Sequence, residues 1–570
     1  MTSIAQLPEE LRKLFEENTE QETALWQWVS EQHYRQVVEQ SGEEHLLVRL
    51  KQRVDLSALA QICAEYRRYV GERGVEATHD VEQLCWGVLV KTVMGWSYET
   101  TAEQVRSNSL VRWFVGYRLR ETTFSDTTLW RFDDWLREHH PRLLFKETLK
   151  VIDEDFSDEV TAVQIGDTFA MLSRARKQSH TELLRSGSQR MLGYLQQVTP
   201  SGYQQLQEEI DLEQLFGKEG DPREWWLKKA ERTELEERTA LAALRTLEVV
   251  RRLHGGLPPS REIGVLGLER WIALVAKVLN DEFTFEQTAG GAWSKATVRE
   301  KHDPGSYVIG STLDPEATFR NHGDKIELGY NANVGATVNF VREIFAVTGA
   351  TPDGNGVGNL VGNQKEHLGV APPKLVYDRA VGRAKFFAVV DKASGGQTQL
   401  VARLIDSTKS SERYSPQDFA IREDGGLTCR NGVTSHTYYR SGSGEGWNYR
   451  FSARQCSGCP LMELCRGDKV KPTSYRQVYI SNYVVEQRKA LLHLESEAGK
   501  QDLKLRAHIE RIIAALVLHN GARRAKGIGL RNADYQLRMA AVAYNLKRWA
   551  VLINEREKEK RKRAEPLDVD

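Results

Sequence analysis

The chain has 570 residues; 79 are Lys or Arg and 79 are Asp or Glu, so the formal net charge is zero. That length exceeds one ordinary domain and can bury more than one core, while the charge balance excludes a partner chosen by net charge alone. Six cysteines in so long a chain exclude a secreted disulfide framework.

Residues 1–75 read as charged helices, an N-terminal extension without a motif. Its opening, MTSIAQLPEELRKLFEEN, lacks the apolar centre of a leader, and no stretch approaches the ~18 apolar residues of a membrane span. The expectation is a cytoplasmic protein in a reducing compartment, with no membrane partner. Residues 76–150 read as a compact helical unit, short helices joined by polar turns. Helix-turn-helix modules and plain helical bundles share that pattern. The last helix follows RETTFSDTT, with Thr127 or Thr128 as expected cap and Trp130, Phe132 and Trp135 on its buried side. Asp153, Glu154, Asp155 and Asp158 read as a solvated acidic turn.

At 161–172, TAVQIGDTFAML is a short apolar strand with a carboxylate, Asp167, in its middle. A buried Asp is costly unless something pairs with it. Residues 176–300 then read as a helical insertion whose charge pattern marks solvated faces. Strand-like runs return at 325–334, 341–347, 374–378, 385–391 and 399–406, separated by turns such as TPDGNGVGN. Residues 407–475 are polar and turn-rich and hold four cysteines. A helical pattern fills 476–555, broken near HNGARRAKGIG, and 556–570 reads as a disordered charged tail. The order of elements is that of an α/β core split by two insertions.

Two strand ends carry an Asp: QIGD at 164–167 and KLVYD at 374–378. A third acid, Glu510, lies at the edge of the stripe Ile509, Ile512, Ile513 and Leu516 of an amphipathic helix, and Arg506 one turn earlier is placed to pair with it. Carboxylates suit Mg²⁺ or Mn²⁺, and two such ions ~3.5–4 Å apart activate a water or 3′-hydroxyl against a phosphodiester. Asp391 and Asp406 also end strand-like runs, so position alone does not select Asp378.

Cys429 and the run RQCSGCPLMELC, with Cys456, Cys459 and Cys465, supply four thiols and one CxxC knuckle. A Zn²⁺ held by them explains how a segment poor in core residues could fold; His436 is an alternative to Cys429 as fourth ligand. The same insertion interleaves Tyr438, Tyr439, Arg440, Trp447, Tyr449, Arg450, Phe451 and Arg454. Alternating Tyr449 and Phe451 suggest a strand with one packed face, and phosphate contact by the arginines is the functional alternative. From 504 to 563, sixteen Lys/Arg face five acids, a local excess of about +11. Within it Arg523, Arg524, Lys526 and Arg531 surround Gly521, Gly527 and Gly529, a backbone that a DNA phosphate can approach closely.

Four stretches together resemble a DDE transposase of a bacterial insertion sequence, in the branch with an N-terminal helical domain and a Cys-bearing insertion. They are FSDTTLWRFDDWL within 81–150; IGDT at 165–168; DPEATF…HGDKIELGYNANV at 314–334 followed by LVYDRAVG; and the closing RAHIERIIAALVLHNGARRAKGIGLRNADYQLRMAAVAYNLKRWAVLI. The resemblance implies an RNase H-like core, a mixed sheet with flanking helices, spread over 151–175, 301–406 and 476–555. A helical insertion (176–300) and a Cys-rich zinc insertion (407–475) would interrupt it, and 76–150 would bind DNA. It implies Asp167, Asp378 and Glu510 as the catalytic, metal-holding acids, with Asp378 preferred over Asp391 through its YDRA context. Further implications are double-stranded DNA as partner, at the element ends and the target, a homodimer or larger assembly on it, and a nucleoid-associated bacterial location. Arg506, Arg523, Arg524, Lys526 and Arg531 are the expected DNA grips. The chain departs from the family's Tyr-x2-Arg-x3-Glu-x6-Lys signature, with Leu503 and Val517 at the Tyr and Lys positions. A non-catalytic DNA-binding descendant and a nuclease without joining activity share the same residues.

Overall fold

The computed structural model describes residues 19–74, 78–255, 267–303, 305, 307–322, 325–405, 413–442, 444–466 and 474–564. The chain begins as helices, among them α1 (Thr19–Ser41), α2 (Val81–Met94), α3 (Tyr98–Ser107), α4 (Asp126–His139) and α5 (Leu143–Asp155). Helix α2 opens on a capping box between Asp80 and Gln83 and closes on Gly95 in the left-handed region (φ 72°). In α4 the cap is Ser125, whose hydroxyl accepts from the Thr128 amide at 3.1 Å, rather than Thr127 or Thr128. Phe132 and Trp135 are buried, but Trp130 is 46 % exposed. Leu129, Phe132 and Leu136 set the inward stripe, and Trp130, one residue from Leu129, is rotated about 100° away from it.

Of the acidic run at the end of α5, Glu154 and Asp158 are exposed as expected, but Asp153 and Asp155 are ties instead of solvated side chains. Asp153 pairs with buried Arg342, and Asp155 accepts from Arg53 and from the Trp549 indole (2.9 Å).

Strand β1 (Gln164–Leu172) follows, and then a helical excursion with its own core, containing α6 (His180–Val198), α7 (Lys229–Leu253) and α8 (Leu268–Glu282). The excursion is not purely helical: it ends in a hairpin of β2 (Phe283–Gln287) and β3 (Trp293–Val298). The chain returns through β4 (Thr318–His322), β5 (Lys325–Ala336), β6 (Val341–Thr348), α9 (Val357–Leu368), β7 (Lys374–Val376), α10 (Ala384–Ser394) and β8 (Gln399–Val401).

One sheet gathers these strands in the order β6-β5-β1-β7-β8, with β4 also on β5. Pairs β1/β5 and β5/β6 are antiparallel, whereas β1/β7 and β7/β8 are parallel. The described chain is thus a helical N-terminal region and a mixed α/β domain, consistent with an RNase H-like core. Residues 385–391, expected as a strand, form α10. Parallel β7 and β8 require a crossover, and Phe386, Phe387 and Val390 supply the buried side of a helix. Asp391 is therefore an exposed residue near a helix end.

The Cys-bearing insertion contributes short strands β9 (Ala420–Ile421), β10 (Leu427–Thr428) and β11 (Thr434–Ser435), then a second sheet of β12 (Tyr438–Arg440), β13 (Gly446–Phe451) and β14 (Arg476–Ser481). Tyr449 and Phe451 face its core with Val478 and Ile480, as their alternation predicts. The chain closes with α11 (Val484–Glu495), α12 (Glu497–Leu505), α13 (Ala507–His519) and α14 (Leu530–Ala564).

The N-terminal helices are not a separate unit. One continuous core joins Leu89, Phe114 and Phe132 to Ile165 and Met171 of β1, Ile512 of α13, and Leu537 and Trp549 of α14. A second core, with Leu360, Leu375, Tyr377 and Phe387, fills the sheet's other face. Helix α14, 35 residues and about 52 Å long, runs to Ala564, so the segment expected as a disordered tail is helical up to there. Arg49 grips Glu557 through both guanidinium nitrogens, and Arg556 stacks on Phe156 at 3.9 Å; these contacts extend the helix past its apolar part. Residues 565–570 lie outside the described residues.

Candidate active site

The register of the parallel strands brings two of the expected acids together. Gln164 pairs with Leu375 and Ile165 with Val376. Carried two residues further, that register sets Asp167 beside Asp378, which lies two residues past the end of β7, at a strand spacing of about 4.8 Å. Side chains alternate along a strand, so both carboxylates share the face of Ile165 and Val376, opposite to Leu375 and Tyr377. Helix α13 packs on that face through Ile509 and Ile512. Arg506 at its N-cap and Glu510 in its first turn, with Asp378, Arg379, Arg403 and Lys504, line a cavity of about 580 Å³, beside which Asp167 stands without lining it. Four cations around two carboxylates suit an anionic chain passing an acidic centre.

Arg506 pairs with Asp167 (3.7 Å) rather than with Glu510 as expected from the helix alone. Burial lifts the Asp167 carboxyl above the usual range, and Asp378 and Asp353 push the same way; the Thr168 amide and Arg506 oppose them. Asp378 accepts from the Ala380 amide at 2.8 Å, which turns the chain out of the strand. Leu503, at the position of the signature Tyr, lines the same cavity, and Val517, at the Lys position, packs against the core.

Asp353 was not singled out by the sequence, because TPDGNG reads as an ordinary turn. It accepts from Thr168 (2.8 Å), Asn331 (2.9 Å) and Arg320 (3.2 Å). Burial alone would raise its carboxyl, but these three partners hold it below the usual range. Thr168 alternates with Asp167, so Asp353 braces the strand from the other face.

Beneath the acids, Tyr377 is 1 % exposed, and its hydroxyl makes no hydrogen bond among the described residues. A Cβ on Gly166 would stand 2.5 Å from that ring, so the strand needs glycine beside Asp167. Gly166→Ala is expected to cost about 1–3 kcal/mol through overpacking. Denaturant unfolding measures this, and in a Tyr377→Ala background the same substitution should cost less than about 0.5 kcal/mol, because the ring it meets is gone.

The basic loop between α13 and α14 is held elsewhere. The Leu172 amide donates to the Arg523 carbonyl (2.9 Å) and the Ala525 amide to the Leu172 carbonyl (2.8 Å). Leu172 is five residues along β1 from Asp167, about 17 Å at ~3.3 Å per residue. Accordingly none of Arg523, Arg524, Lys526 and Arg531 lines the acid cavity, and Arg506 alone of the expected DNA grips does so. Arg523 pairs with Glu327 (3.3 Å) and Arg531 with Glu138 (3.3 Å), Arg524 is exposed, and Lys526 lines a cleft with Lys91 and Lys547.

The DPEA and GYN motifs fasten this loop. Fully buried Asp314 accepts from Ser173 (2.7 Å), Tyr330 (2.6 Å) and the Gly529 amide (3.3 Å), and Glu316 accepts from the Leu530 amide (3.0 Å) at the start of α14.

The four thiols of the insertion lie within one another's electrostatic reach. Burial raises Cys456 and Cys465, and both feel Cys429 and Cys459. His436 lies beside Gly426 and Asp424. Among the described residues, no three His, Cys, Asp or Glu side chains stand close enough to hold a metal ion as they are. No helix of the described residues is long and apolar enough to cross a membrane.

Two family models match the chain. One described as a Transposase DDE domain covers residues 428–550, and one described as a Transposase domain (DUF772) covers residues 35–135. The chain therefore carries two transposase domains. They are consistent with a member of an insertion-sequence transposase family. The first match includes Glu510, Arg506 and the four cysteines; Asp167 and Asp378 fall outside both. No curated protein and no solved structure matches the chain.

Proposed function

We propose that this chain is a DDE-type transposase with an RNase H-like catalytic core, binding the ends of a mobile element, cutting DNA and joining the freed 3′-hydroxyl to a target. The observation that carries the reading is the register that sets Asp167 beside Asp378 where the parallel strands end, next to a cavity lined by Asp378 and by Glu510 of the helix packed on that face. The donor set is all oxygen, the chemistry that a hard divalent cation takes. Asp167, Asp378 and Glu510 would hold Mg²⁺ or Mn²⁺, which supplies activation of a water or 3′-hydroxyl and neutralises charge on the phosphate.

The chain's own residues supply the rest. Arg506 offsets the Asp167 charge until DNA arrives and then offers its guanidinium to a phosphate. Arg379, Arg403 and Lys504 guide the backbone into the cavity, and the hydrophobic bed of Tyr377 keeps both carboxylates in fixed positions. The helical region within 35–135 would hold the element ends, and two ends handled together require at least a homodimer. Such a protein works on the bacterial nucleoid, in the cytoplasm.

The test is cleavage and joining of the DNA that flanks this gene, with and without Mg²⁺. Joined products support a transposase. Cut but unjoined ends would indicate a nuclease, and specific binding without cutting a non-catalytic DNA-binding protein.

In the insertion, Cys429, Cys456, Cys459 and Cys465 fit the donor set of a structural Zn²⁺. One zinc per chain is expected by elemental analysis, lost in Cys459→Ser. A chelator should then unfold the β12–β14 segment, because binding and folding are one free energy there. Metal-free protein with unchanged protease resistance in that segment would refute the assignment.

A further inference from the structure

The sheet β12-β13-β14 has two unlike faces. Residues directly opposite one another share a face, and the pairs are Tyr439 with Asn448, Asn448 with Tyr479, and Arg450 with Gln477. Tyr475 joins them, since the Arg450 guanidinium stacks over both Tyr439 (4.9 Å) and Tyr475 (4.5 Å). The other face carries the buried Tyr449, Phe451, Val478 and Ile480, with Tyr438, Arg440 and Trp447 on its exposed part. The outer face therefore holds three tyrosines, two amides and one arginine, and no aliphatic side chain. Its rings are open to solvent: Tyr439 40 %, Tyr475 50 % and Tyr479 36 %. The Tyr439 hydroxyl donates to Gln477 (2.8 Å), and Gln477 donates to Asn448 (2.9 Å), so the row is ordered before anything binds.

We propose that this face is a stacking platform for an unpaired DNA strand, which it leads toward the acid cavity. Three features favour that occupant. Exposed rings flanking a guanidinium offer π-faces to bases and a charge to phosphates, the combination that single-stranded nucleic acid uses. A protein partner would need an apolar centre, which this face lacks. Duplex DNA keeps its bases stacked and would find no helix or ribbon here to enter a groove.

Continuity with the site supplies direction. Tyr479 also lines a groove of about 790 Å³ whose other walls include Arg383, Lys385 and Arg403. Arg403 and Leu404 in turn belong to the cavity of Asp378 and Glu510. A strand lying on the tyrosines thus has a continuous groove to the acids, in which these three cations outnumber Glu445 and Glu495. The platform does not depend on the acids cutting anything, so it stands or falls apart from the cleavage reading.

The test uses full-length protein in buffer without added Mg²⁺ or Mn²⁺ and without a chelator, so that cutting is off and any zinc in the insertion stays in place. Binding of a fluorescein-labelled oligo-dT of about 15 nucleotides is followed by anisotropy, beside a random duplex. Changing Tyr439, Tyr475 and Tyr479 together to Ala should weaken oligo-dT binding at least about tenfold while duplex affinity changes less than about twofold. The same three changed to Phe should stay within about threefold of wild type, since the rings remain. Arg450→Glu, a surface change that leaves the rings in place, should also weaken oligo-dT binding. The proposal is overturned if wild-type protein does not bind oligo-dT, if the Ala variant binds as wild type does, or if the Phe variant loses as much. It is equally overturned if the Ala variant changes sedimentation mass and not oligo-dT affinity, which would make the face a contact between copies.

Discussion

Asp378→Asn is expected to lower Mg²⁺-dependent cleavage at least about 10²-fold, the scale of losing one preorganised charge at a reacting centre. Asp391→Asn should leave the rate within about twofold. The two carboxylates looked alike in sequence, each ending an apolar run. The fold separates them, because Asp378 lines the acid cavity beside Asp167 and Asp391 is exposed near the end of α10. Asn keeps an oxygen to accept from the Ala380 amide, so the local turn and the melting temperature should be unchanged. Asp353→Asn is the informative companion. If it abolishes cutting while Asp378→Asn does not, the acid set would be Asp167, Asp353 and Glu510.

The second large effect concerns the joint between the helical region and the end of the chain. Asp133 on α4 is 3 % exposed and accepts from Tyr98 (2.7 Å), Tyr535 (2.5 Å) and the Lys91 ammonium (2.9 Å). Asp133→Ala removes the acceptor and strands a mostly buried cation with two phenols, a loss of about 3–5 kcal/mol. Tyr535 lies on α14, so the same change should expose residues 35–135 to limited proteolysis. The acid limb follows in sign. Burial alone would raise the Asp133 carboxyl, but Lys91, Tyr535 and Tyr98 hold it below its ordinary value. Its stabilising contribution is thus complete above the ordinary aspartate range and is lost as pH falls through the depressed native value. Wild type should show that acid loss and Asp133→Ala should not. A variant as stable as wild type at neutral pH would show that the three donors find other partners.

Much of the site was legible because its chemistry is local. A carboxylate inside QIGDTFAML stands out against apolar neighbours, and Glu510 follows from the period of α13. What was not legible depends on partners far away in sequence. Asp353 gains its role only when β1 and β5 bring Thr168 and Asn331 to it. KFFAVVD satisfies either period over seven residues, and the parallel pairing of β7 with β8 decides for helix. The charged end of α14 carries no apolar stripe, and its helicity comes from Arg49 and Phe156, some five hundred and four hundred residues upstream. The basic loop illustrates the opposite error: nearness to Glu510 in sequence suggested nearness in space, but the ladder to Leu172 carries it to the far end of β1.

The bond from Tyr535 to Asp133 crosses 402 residues of chain. At ~5–20 residues per second of synthesis, the helical region waits about 20–80 s with a buried aspartate and lysine lacking one of their phenol partners. A nascent chain therefore holds its N-terminal helices in an unfinished state until the last helix has been made. The N-terminal helices are thus completed only in finished molecules, released from the ribosome that made them, and not in chains still tethered to it.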